Sequence, residues 1–285
     1  MEIIDATGEL NACFASGTFD LDRWGAYIDA AVPGARELCL GDLRDCLDAD
    51  FTWEGSYLPV LNAVLREREK REWAIASFHA VTERLDKRLL ARFGRTVDAK
   101  VILYLGLCNG AGWVTTVRGQ RAVLLGLEKI LELDWCGIDD MTGLILHELG
   151  HVYQGQYGVL YWETDDEPEQ FLRQLFTEGV AMVFEQELVG DPTYFHQDRD
   201  GWKNWCDRNA AKIRRSFEQD RNSMTRMTQR YFGDWVSFEG HGDTGYYIGT
   251  RFVRFLMETE DFDRIIQYDM EEVKAGYARF LAVDL

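Results

Sequence analysis

Five consecutive residues, His147-Glu148-Leu149-Gly150-His151, set two imidazoles four positions apart with a carboxylate beside the first. Positions i and i+4 share one face of a helix, so both rings can reach a single ion while Glu148 points beside it toward a water. Two neutral imidazoles and a carboxylate suit zinc, which keeps a fourth position open and lowers the pKa of water there toward ~7. Glu148 then takes the proton as general base and passes it to a leaving amine as general acid. The chemistry expected is amide hydrolysis with one Zn2+ per chain. A pair of histidines on a surface helix is the competing reading.

Such a site needs a third protein ligand. The metzincin spacing demands a glycine three residues and a histidine six residues after the second histidine, where this chain has Gln154 and Tyr157. The next helix instead carries Glu178, with Leu175, Ala181 and Met182 three and four positions away. A carboxylate on so apolar a stripe is costly unless a cation meets it, although a place at the rim of that stripe would also accommodate it. Gly179 beside it permits close approach to the helix that bears the histidines. The turn before this helix holds Glu163, Asp165, Asp166, Glu167 and Glu169, alternative ligands that a solvated acidic turn also explains. Glu185, seven residues after Glu178, shares its face and is the candidate to orient a ligand histidine.

The HELGH motif followed by Thr177-Glu178-Gly179 on the next helix resembles the gluzincin metallopeptidases. The runs LLGLEKI, HELGHVYQ, TEGVA and GYYIG, spanning about Gln120 to Val253, resemble a bacterial family of predicted zinc-dependent peptidases catalogued as a domain of unknown function. The resemblance implies a thermolysin-like zincin core with two histidines and one glutamate on zinc, and a substrate held extended along an exposed sheet edge. For that edge, Gly110 and Gly112, followed by the strand from Trp113, suit a peptide added as a further strand. The resemblance also implies that the segment from His241 to Gly249 lines the site. His241, Tyr246 and Tyr247 are the candidates there to stabilise the oxyanion, with aromatic packing and helix capping as the competing use. Arg251, on the same helix, is a candidate to bind a substrate carboxylate.

The elements that must position these residues follow from the apolar pattern. Helices are expected over Asp20–Ala31 and Ala35–Leu47, then one long helix or a kinked pair from Leu58 to Phe93, stopped at Gly94. The β-branched run Lys100–Leu107 reads as a strand, and Trp113–Val117 with Gln120–Leu127 as a hairpin about Arg118 and Gly119. Helices follow at about 140–158, 168–189, 197–218, 221–232, 244–259 and 269–282. The fold class is therefore α+β, a small antiparallel sheet followed by a mostly helical carboxy-terminal lobe, with a cleft between sheet and helical lobes. The division expected is an amino-terminal helical region, 1–95, packed on a catalytic domain, 96–285.

Composition limits the partners. With 31 Lys and Arg against 49 Asp and Glu, the net charge of −18 repels phosphate backbones and anionic lipid, so a peptide or protein substrate is expected rather than nucleic acid or membrane. Six scattered cysteines form no CxxC pair, and the amino terminus lacks the basic and apolar regions of a signal peptide. No apolar run approaches the ~18 residues of a membrane span. The expected location is the cytoplasm. Two rival functions remain open at this point: a catalytically silent zincin-fold protein that binds a peptide or partner, and a zinc amidohydrolase acting on a small amide.

Overall fold

Strand β1 (Glu2–Asp5) opens the chain, followed by a 3-10 segment, the two-residue strands β2 (Phe14–Ala15) and β3 (Thr18–Phe19), and helices α1 (Leu21–Ala31) and α2 (Arg36–Leu47). Next come α3 (Leu58–Arg66), α4 (Arg68–Thr82) and α5 (Leu85–Phe93), three helices where a long or once-kinked one was expected. Two residues leave the helical region and make the breaks, Glu67 at φ −94 and ψ 54 and Arg84 at φ −120 and ψ 6. Gly94 ends α5 in the left-handed conformation, as its position suggests. Strands β4 (Lys100–Tyr104), β5 (Gly112–Val117) and β6 (Gln120–Gly126) lead to α6 (Leu127–Glu132) and α7 (Ile138–Tyr157). The computed structural model describes residues 1–47, 51–233 and 235–283.

The four-stranded sheet has the order β1-β4-β6-β5. The β5–β6 hairpin is antiparallel as expected, and Arg118 and Gly119 both take positive φ at its two-residue turn. The sheet as a whole is mixed, which corrects the antiparallel expectation: β1 pairs with β4 and β4 with β6 in parallel. Helix α1 is fastened to this sheet by buried polar groups. Trp24 Nε1 donates to the Leu105 carbonyl at 2.9 Å, and the Tyr27 hydroxyl donates to Ala6 O at 2.9 Å while accepting the Leu105 N–H at 3.0 Å.

The chain divides into two compact units, Met1–Glu148 and Leu149–Leu285, so the first 95 residues share a unit with the sheet. The division falls inside α7, a continuous helix. The second unit continues with α8 (Glu167–Val189), α9 (Trp202–Asp220), α10 (Thr244–Met257), α11 (Phe262–Ile265) and α12 (Met270–Leu281). Helix α9 starts later than expected because Asp200 and Gly201 both have positive φ. The helix expected over 221–232 is replaced by turns. There the Gln229 side chain accepts from the Tyr231 and Phe232 N–H groups at 2.8 and 3.0 Å, so a local side-chain acceptor takes the place of the helical ladder. Among the described residues no helix is long and apolar enough to cross a membrane.

Candidate metal centre

Helix α7 carries Asp139 and Asp140 in its first turn, where negative charge meets the positive end of the helix dipole. Met141, Leu144, Ile145, Leu149 and Val152 are buried, so the helix runs through apolar surroundings. His147 and Glu148 are buried with it, at 6% and 7% exposure. His151, one turn further on, presents its ring on the same face as His147.

What brings Glu178 to these rings is a close helix crossing. A Cβ on Gly150 would lie 2.8 Å from Ala181 Cα and 3.2 Å from Ala181 Cβ, so α7 and α8 meet there almost backbone to backbone. Ala181 is three residues past Glu178, on the same side of α8. The result is a 3.2 Å separation between His151 Nε2 and Glu178 Oε2. Gly179 serves a different contact from the one expected of it. A Cβ there would run into the Gly249 carbonyl, so this glycine admits α10 rather than α7.

One ligand atom each from His147, His151 and Glu178 lie within 4.8 Å of one another. A tetrahedral zinc with bonds of ~2.1 Å spans ligand pairs of about 3.4 Å, so adjustments of about an ångström would close this set around the ion. The donor set also suits the metal: two imidazole nitrogens and one carboxylate oxygen, with the His151 and Glu178 side chains only 14% and 16% exposed. Leu175, Ala181 and Met182, three and four positions from Glu178 on its helix, are buried, which makes a cation partner the natural relief for its charge. Of the alternative acids, Glu169 pairs instead with Lys274 and with the Thr164 hydroxyl, the latter at 2.9 Å. Asp166 stands at the N-cap position of α8 and Glu167 in its first turn.

Glu148 also meets the start of β5. A Cβ on Gly112 would lie 2.7 Å from Glu148 Cγ and 2.8 Å from its Oε1, so the start of β5 lies directly on this carboxylate. Among the described residues β5 is also the edge of the sheet, pairing with β6 alone. An edge strand offers unpaired main-chain donors and acceptors to an extended peptide. Gly110, two residues earlier, takes φ 155 in the loop that leads into β5.

The remaining candidates have defined surroundings. Tyr247 is 1% exposed, its hydroxyl donates to Asp207 Oδ1 at 2.8 Å, and its ring packs on Phe195 and Trp202. Burial, reinforced by that carboxylate, raises its pKa well above the usual tyrosine value. Arg251 Nη1 stands 3.5 Å from the same hydroxyl. Tyr246 is half-buried with its ring edge-on to Phe232, and His241 stacks on Trp205 with ring centroids 3.9 Å apart. The fully buried Glu185 places both carboxylate oxygens 3.0 Å from Nδ1 of His196, on the segment after α8.

Two groups here escaped the sequence reading. His196 sits in a turn-rich stretch with no motif around it, and nothing local announces its partner. Glu128 is buried in α6 at 1% exposure, and its signal was available: it is the one acid in the apolar run from Ala122 to Leu131. No family model matches the chain, and neither a curated protein nor a solved structure does.

Proposed function

We propose that this chain is a zinc-dependent peptidase of the gluzincin type, with His147, His151 and Glu178 holding one zinc ion. The observation that carries the reading is the convergence of those three donors within 4.8 Å, with buried Glu148 next in sequence to the first of them. A zinc ion held there supplies a Lewis acid that polarises a scissile carbonyl and brings the pKa of water toward ~7. Glu148, in surroundings of low dielectric, accepts a proton from the attacking water and hands it to the departing amine nitrogen. Strand β5 pairs with the main chain of an extended peptide, and the missing side chain at Gly112 lets that strand lie against Glu148.

The test is Glu148→Gln beside the parent, each assayed for zinc and for cleavage of a mixed peptide library. The variant should hold zinc at the parent level and lose turnover, because the base is needed for proton transfer and not for coordination. Near-parent cleavage by the variant would overturn the mechanism. A zinc-loaded parent that cleaves only small amides would make the chain an amidohydrolase, and one that binds peptides without cleaving anything would make it a binding protein.

A further inference from the structure

Glu128 lies in the first turn of α6, directly after β6, and its carboxylate reaches the loop between β4 and β5. Oε2 accepts the Gly106 N–H at 2.8 Å and Oε1 accepts the Cys108 N–H at 2.9 Å. The fit is close: a Cβ on Gly106 would stand 2.6 Å from Glu128 Oε1 and 3.0 Å from the Tyr104 hydroxyl. This loop is irregular, with φ 57 at Cys108 and 155 at Gly110, so a sheet ladder does not satisfy its amides. The two oxygens of a carboxyl group let each of these donors have its own acceptor. The loop ends at Gly112, on which Glu148 rests. A second tie starts from the same place, since the Tyr104 hydroxyl accepts from Trp113 Nε1 at 3.1 Å.

We propose that Glu128 is a positioning residue of the hydrolytic site: it straps down the 106–112 loop and thereby sets how the first residues of β5, the strand partner of the substrate, lie against Glu148. The inference rests on the peptidase reading of that site. Burial raises the Glu128 carboxyl to about 7, against the pull of its own N–H, of the Gly106 and Cys108 N–H groups and of Lys129 toward the charged form. Among the described residues, Tyr27 from α1, Cys39 from α2 and Tyr104 from β4 also feel its charge, and each is neutral near pH 7 with a raised pKa. Losing its proton therefore turns Glu128 into the stronger acceptor for both loop amides.

The first experiment uses the unaltered protein. The amide proton shifts of Gly106 and Cys108, followed by NMR from pH 5 to 9, should titrate together with one apparent pKa, since both report on one carboxylate. Glu128→Gln offers those donors one carbonyl and one amide N–H2, so exchange of the Gly106, Cys108 and Gly112 amides should quicken about 10-fold. Its zinc content should match the parent. On an extended peptide kcat/KM should fall about 10- to 100-fold, mostly through KM, with Glu128→Asp recovering part of the loss. The ratio of parent to Glu128→Gln in kcat/KM should rise as pH climbs through 7. Separate titration of the two amides, or loosened amides with unchanged kcat/KM, would overturn the proposal. A parent without peptidase activity would defeat the peptidase reading alone, while the amide titration and the Gly112 exchange would still decide whether Glu128 holds the loop.

Discussion

Gly150→Ala tests whether the crossing of α7 and α8 is what brings the three proposed zinc ligands together. The new methyl would start 2.8 Å from Ala181 Cα, whereas carbon atoms in contact sit about 3.5–4.0 Å apart, so the helices must separate there by roughly 0.7–1.2 Å. Two effects on stability oppose each other. Alanine improves helix propensity by about 1 kcal/mol, while overpacking a buried contact costs about 1–3 kcal/mol. The net loss should therefore stay within about 2 kcal/mol, and the protein should still fold. Zinc binding is less tolerant, because metal–ligand distances hold to about ±0.2 Å and the shift moves Glu178 away from His151 by several times that. The affinity for zinc, measured by competition with a chromophoric chelator, should drop about 10- to 100-fold, the range found when the support of metal ligands is disturbed. Melting should show a decrease of only a few degrees. A Gly150→Ala protein that binds zinc as tightly as the parent would mean that the crossing does not set the ligand geometry.

Two further perturbations have defined outcomes. Because the folded carboxyl of Glu128 is raised from 4.5 to about 7, the fold favours its neutral form, and the stability linked to it is full below pH 4.5 and lost as pH rises to 7. The parent should therefore lose about 3 kcal/mol relative to Glu128→Gln between pH 4.5 and 8 in urea unfolding, and parallel pH profiles for the two proteins would contradict the burial argument. Tyr247→Phe removes a hydroxyl bonded to Asp207, so it should cost about 1 kcal/mol of stability and leave zinc content and kcat unchanged. A fall of about 10²-fold in kcat with intact melting would instead place that hydroxyl on the oxyanion.

What could be read from the sequence, and what could not, divides by the range of the interactions. The helix bearing His147 and His151 was legible because apolar spacing, two acids at its start and a glycine after Tyr157 all agree locally. The β5–β6 hairpin was legible from its two-residue turn. Strand β1 was not, because Glu2–Asp5 is four residues long with an acid at each end, and only pairing with β4 makes it a strand. Glu178 stood out as a lone acid on an apolar stripe, but the glycine that admits its helix to α7 is Gly150, while neighbouring Gly179 meets Gly249 of α10. Sequence marks where a close approach is needed and does not name the partner. The same limit hid the pairing of Glu185 with His196, which spans a helix end and a loop.

Elemental analysis of the purified chain decides whether His147, His151 and Glu178 together hold a zinc ion. After exposure to zinc and removal of the excess, the parent should retain one zinc per chain and Glu178→Ala far less, with both proteins folded by circular dichroism. A parent that retains no zinc, or a Glu178→Ala variant that keeps it fully, would mean that these three side chains do not form a zinc centre.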